Sequence, residues 1–112
     1  MLPKPIENIL DNPRNIKIVS IISLWEIVIK FCVKRLSLNL DYDQLVEVIK
    51  KKKFKLLPIK DAHLRENLLL PMLHGDPFDR LLIAQSRVEK ISFISSDRNI
   101  KLYDVDLIWD IK

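Results

Sequence analysis

The stretch His74-Gly75-Asp76-Pro77-Phe78-Asp79-Arg80-Leu81-Leu82-Ile83-Ala84-Gln85 decides how this chain is read. It opens with turn chemistry and becomes an apolar helix with two carboxylates at its mouth. Asp76 suits an N-cap, and Pro77 suits the first helical position, where a missing N–H costs nothing. Asp79 then falls at the third helical position, beside unpaired backbone donors and the positive end of the helix dipole. Leu81, Leu82, Ile83 and Ala84 are apolar on nearly every side, as in a buried helix. A carboxylate in such a place is either a cap or a ligand.

Working outward, the 112 residues are read as a single domain, 1–112, able to bury a core of its own. An apolar fraction of 48% with 30% charged residues fits a globular chain and excludes a disordered tail. The formal charge of +4 and pI near 9.3 admit an anionic partner such as RNA, although Lys50 to Lys53 account for the excess and read as a solvated helix end. Cys32 is the single cysteine, so there is no disulfide framework, and a reducing cytoplasm is the expected compartment. Cys32 is read as a small core hydrophobe. The apolar run from Ile18 to Val33 is too short and too interrupted to span a bilayer, so no membrane partner is expected. The N-terminus has no signal-peptide pattern.

Strands and helices alternate along the chain. A short helix is expected over Leu2 to Leu10, a strand over Ile16 to Val19, and a helix over Ser23 to Leu36 with Leu24, Ile27, Val28, Phe31 and Cys32 on one stripe. Asp41 caps a third helix that the lysines end, and Phe54 to Leu57 form a strand closed by Pro58. Two more helices are expected over Asp61 to Leu70 and Pro77 to Glu89, then strands over Ile91 to Ser95 and Leu107 to Trp109. This order predicts an α/β fold with a central, mainly parallel sheet and helices on its faces.

Three acids take a common address in such a fold. Glu26 is expected on the first turn of the helix after the Ile16 strand, Asp79 on the first turn of its own helix, and Asp97 directly after the Ile91 strand. Strand C-termini and helix N-termini share one edge of a parallel sheet, the edge where ligands bind. Converging carboxylates repel and require a cation, and oxygen-only ligands suit Mg²⁺ or Mn²⁺. Each acid also has a plainer reading: Ser23-Leu24-Trp25-Glu26 fits a capping box, Asp76 and Asp79 fit helix capping, and Asp97 opens a turn-like Asp-Arg-Asn. Pattern alone leaves both readings open. His74 is read as a solvated loop histidine, His63 as a helix-surface one, and Trp25 and Trp109 as core or interface aromatics. There is no Gly-rich phosphate loop, Cys/His zinc spacing or nucleophile elbow.

Val19 to Ile27, Asp76 to Gln85 and Ile94-Ser95-Ser96-Asp97 resemble PIN-domain proteins, in particular VapC-type toxins of bacterial type II toxin–antitoxin pairs. The Leu36-Ser37-Leu38 linker, the Leu56-Leu57-Pro58-Ile59 strand and the Val105 to Trp109 end fit the same pattern in the same order. The resemblance implies a three-layer α/β/α domain that cleaves RNA with Mg²⁺ or Mn²⁺ held by acids matching Glu26, Asp79 and Asp97. It also implies a cognate antitoxin protein and a homodimer. Asp79 is the matching acid because the family's acid stands five residues before the Ala matching Ala84, which leaves Asp76 as the cap.

One departure is expected to matter. Family members begin with a strand carrying a first acid, and this sequence matches from the next helix onward, which implies an N-terminal truncation of roughly 20 residues. Two functions from different classes are then in view. The first is a metal-dependent endoribonuclease of the VapC toxin type. The alternative is a truncated, catalytically inactive remnant that binds only an antitoxin or itself. A basic RNA-binding module, with carboxylates serving only as caps, is a third.

Overall fold

The computed structural model describes residues 4–34, 41–95, 100, 102–105 and 107–108. Its elements are α1 (Lys4–Asp11), β1 (Lys17–Ser20), α2 (Ile21–Lys34), α3 (Tyr42–Lys51), β2 (Phe54–Leu57), α4 (Asp61–Leu69), α5 (Pro77–Glu89), β3 (Phe93–Ile94) and β4 (Leu107–Ile108). They form two compact units, Met1–Pro58 and Ile59–Lys112. The expected α/β class with parallel strands holds. Among the described residues the strands form two parallel pairs, β1–β2 in the first unit and β3–β4 in the second. The Leu36-Ser37-Leu38 linker, Asp97 and Trp109 lie outside the described residues.

In the first unit, β1 pairs with β2 in register from Lys17 opposite Phe54 to Ser20 opposite Leu57. Lys17 also sets its ammonium 4.9 Å from the centre of the Phe54 ring, a cation–π contact across that pair. α2 starts directly at the end of β1, where Ser20 Oγ accepts the Ile22 N–H at 3.0 Å. Ser20 therefore satisfies an otherwise orphaned amide, and the helix begins two residues before Ser23. Burial falls on Ile22 and Leu24 at the end of α2 adjoining β1, whereas Ile27 and Val28 of the expected stripe are 36% and 37% exposed. Cys32 is exposed rather than a core residue, and Trp25 is half exposed rather than in a core. α3 is capped as its sequence predicts, with Asp41 accepting from the Gln44 amide and Gln44 accepting in return from the Asp41 amide.

In the second unit, Leu70, Ile83, Ala84, Ile100 and Tyr103 form a buried cluster, flanked by Leu81, Phe93 and Val105. Each fully buried leucine or isoleucine in such a cluster contributes roughly 1.5–3 kcal/mol. α4 and α5 run antiparallel, and polar ties hold both ends of the hairpin. At one end His63, fully buried rather than on the helix surface, accepts the Lys60 N–H at Nδ1 (3.0 Å). It thereby does for α4 what a Glu or Gln at the third helical position does in a capping box. With Nδ1 accepting, the ring proton sits on Nε2, which donates to Glu89 Oε2 of α5 at 2.7 Å. The Gln85 amide lies 3.2 Å from Nδ1, and the Lys60 ammonium lies 3.2 Å from the same Glu89 oxygen.

The His63 hydrogen bond, and after it the Lys60 hydrogen bond and charge, hold the Glu89 carboxyl below its ordinary value. A carboxyl lowered by folding contributes stability above its unfolded pKa, and that contribution is lost as the pH falls through the folded value. Glu89→Gln should therefore lower the urea midpoint at neutral pH, with a deficit that shrinks below about pH 4. An equal deficit at both ends of the range would contradict an ionic tie.

Candidate metal-binding site

The loop from Pro71 to Asp76 and the first turn of α5 carry the candidate chemistry. Asp76 is the N-cap of α5, its Oδ1 accepting from the Phe78 and Asp79 amides at 2.9 and 3.2 Å, with Pro77 at the first helical position. Asp79 stands further in on the first turn, with its side chain 19% exposed. The capping duty left open by the sequence thus falls to Asp76, as expected.

Directly behind Asp79, the Arg80 side chain is buried, and its two terminal guanidinium nitrogens meet four acceptors. Nη1 donates to the Pro71 carbonyl at 2.7 Å and to the Tyr103 hydroxyl at 3.2 Å. Nη2 donates to the Asn67 and Leu70 carbonyls, each at 3.3 Å. These carbonyls lie at and just beyond the C-terminus of α4, so Arg80 caps the other end of the hairpin from across it. Farther along α5, Arg87 reaches Glu66 of α4 at 3.2 Å and the Asp104 carbonyl at 2.6 Å.

His74 is enclosed rather than solvated, its side chain 10% exposed. Its backbone N–H donates to the Tyr103 hydroxyl at 3.3 Å, its Nδ1 lies 2.8 Å from that hydroxyl, and its Nε2 lies 3.4 Å from Asp79 Oδ2. The His74 and Tyr103 rings meet edge to face at 5.3 Å between centroids.

Glu26 is placed differently from its sequence reading. Because α2 begins at Ile21, Glu26 is the sixth helical residue, on the second turn and about 7.5 Å along the axis from the first. Ser23-Leu24-Trp25-Glu26 lies inside the helix, so the capping-box reading of Glu26 fails. Glu26 belongs to the first unit and Asp79 to the second, and Asp97 lies outside the described residues. Among the described residues no group of three or more His, Cys, Asp or Glu side chains converges to hold a metal. Sequence reading missed Arg80, Tyr103, His63 and Glu89. A charged residue inside an otherwise apolar helical run was the available signal for Arg80, since a buried charge requires a partner. Tyr103 is 29 residues from His74 and gave no local sign.

Comparison with known families gives this arrangement its class. The PIN domain family matches residues 2–106, and the chain belongs to that family. PIN domains are generally nucleases that bind RNA or other nucleic acid, and they generally use divalent metal ions. No curated protein and no solved structure matches the chain. The carboxylates are hard oxygen donors, the chemistry that Mg²⁺ or Mn²⁺ takes. No described helix is long and apolar enough to cross a membrane.

Arg80→Leu strands several buried carbonyls and should cost on the order of 3 kcal/mol in chemical denaturation followed by far-UV circular dichroism. Arg80→Lys should recover less than half of that loss, because an ammonium cannot reproduce the planar fork. Full stability in Arg80→Leu would show that the carbonyls find water instead.

Proposed function

We propose that this chain is a metal-dependent endoribonuclease of the VapC toxin type, with Glu26, Asp79 and Asp97 holding Mg²⁺ or Mn²⁺. One observation carries the reading furthest: Asp76 accepts the first-turn amides, so the largely buried Asp79 carboxylate is not the cap of α5. Membership of a family of nucleases that generally use divalent metal ions supports a ligand role for that carboxylate. The three acids would supply hard oxygen ligands and enough negative charge to require a cation between them. The ion would supply Lewis acidity and charge neutralisation toward an RNA phosphodiester. The net positive charge favours approach of an anionic polymer.

On this reading residues 1–112 work as one functional domain in the cytoplasm. Its partners are an RNA substrate, a cognate antitoxin protein and a second copy of the chain. The half-exposed Trp25 and the partly exposed Val28, three residues apart on α2, give such protein partners apolar surface to bury.

Asp79→Asn should reduce cleavage of a single-stranded RNA on the order of a hundredfold or more, with thermal unfolding close to that of the unchanged protein. Glu26→Gln and Asp97→Asn should act alike, and chelation should abolish cleavage by the unchanged protein. Undiminished cleavage by Asp79→Asn, or cleavage indifferent to divalent ions, would refute the proposal.

A further inference from the structure

We propose that His74 is a positioning residue for the metal-binding carboxylate of Asp79, set in a single tautomer by the Tyr103 hydroxyl. The proposal rests on the reading of Asp79 as a ligand and adds a residue to it. Hydrogen atoms can be counted around the phenol. Its oxygen has two acceptor lone pairs and one proton. At Tyr103 the lone pairs face two groups that can only donate, the Arg80 guanidinium at 3.2 Å and the His74 backbone N–H at 3.3 Å. The phenol proton is left for His74 Nδ1, the shortest of the contacts at 2.8 Å. Nδ1 is then an acceptor, and the imidazole carries its hydrogen on Nε2, the atom 3.4 Å from Asp79 Oδ2.

The result is a directed relay. Arg80 fixes the phenol, the phenol fixes the ring and its tautomer, and the ring N–H points at the carboxylate. The loop that carries His74 is held from the same source, since Arg80 also grips the Pro71 carbonyl and the Leu73 N–H closes onto it at 3.0 Å. An N–H of this kind limits rotation of the carboxylate while leaving it lone pairs for a cation. A neutral donor also orients the carboxylate without the repulsion that a lysine or arginine there would exert on the ion. The 3.4 Å separation is at the long limit of a hydrogen bond, and binding of an ion should draw the carboxylate and ring together.

The test is Mn²⁺ titration calorimetry on the full chain, with thermal unfolding of every variant and RNA cleavage measured across Mn²⁺ concentrations. A glutamine amide reaches roughly where Nε2–H does, whereas an asparagine amide stops near Nδ1. His74→Ala and His74→Asn should weaken Mn²⁺ binding about tenfold or more, and His74→Gln should remain within a few-fold of the unchanged protein. Tyr103→Phe should also weaken binding, and the cleavage lost in these variants should return as Mn²⁺ is raised. Should His74→Ala fail to fold, His74→Gln, His74→Asn and Tyr103→Phe decide the matter. If Asp79→Asn loses Mn²⁺ while His74→Ala and Tyr103→Phe bind it normally, the inference falls and the metal site stands. A folded His74→Gln as weak as His74→Ala overturns it too. If the unchanged protein binds no Mn²⁺, or Asp79→Asn binds it undiminished, the site reading fails and takes this inference with it.

Discussion

The buried guanidinium of Arg80 organises the second unit. Removing such a charge from water is expensive unless each donor finds an acceptor. Here the acceptors are the Asn67, Leu70 and Pro71 carbonyls and the Tyr103 hydroxyl. Two needs meet in one place: a cation that must be paired, and a helix end whose carbonyls must be satisfied. The match fixes the exit of α4, the start of the loop after it, and a tyrosine of the buried cluster relative to the first turn of α5. Asp79 is the residue before Arg80, so the contacts that hold the guanidinium also hold the turn that presents the carboxylate.

The opposite end of the hairpin uses different chemistry for the same purpose. His63 caps α4 through one ring nitrogen and binds Glu89 of α5 through the other, with Lys60 adding a second donor. Burial of His63 and of Arg80 sets each end apart from an ordinary surface ion pair. Between these ends Ile83 and Ala84 are fully buried, and packing against Leu70, Ile100 and Tyr103 supplies the apolar part of the stability. Polar ties set the register of the two helices, whereas apolar burial supplies the driving force.

Much of this was legible in the sequence because it rests on local rules. Asp76-Pro77 marked the start of α5, Asp41 the start of α3, and Phe54 to Leu57 a strand closed by proline, all from capping and turn chemistry within a few residues. The start of α2 was misplaced because Ser20 and Ser23 are both acceptable caps, and only the pairing of β1 with β2 determines which one ends the strand. The burial of His63 and His74 was not legible, because the partners that enclose them lie 26 and 29 residues away. Of the candidate acids, Asp76 was readable as the cap of α5 from its place before Pro77, whereas the ligand role of Asp79 is implied by the family resemblance. The second-turn position of Glu26 depended on the helix start and was missed with it.

Asp79 is proposed as a metal ligand on a turn made rigid by Arg80 and its partners. Anomalous diffraction from crystals of the full chain grown with Mn²⁺ would locate the ion without reference to activity. The expected result is a peak roughly 2.0–2.2 Å from an Asp79 carboxylate oxygen, with Glu26 and Asp97 contributing the other carboxylate ligands. Mn²⁺ bound at Glu89 or Asp104, with none at Asp79, would contradict it.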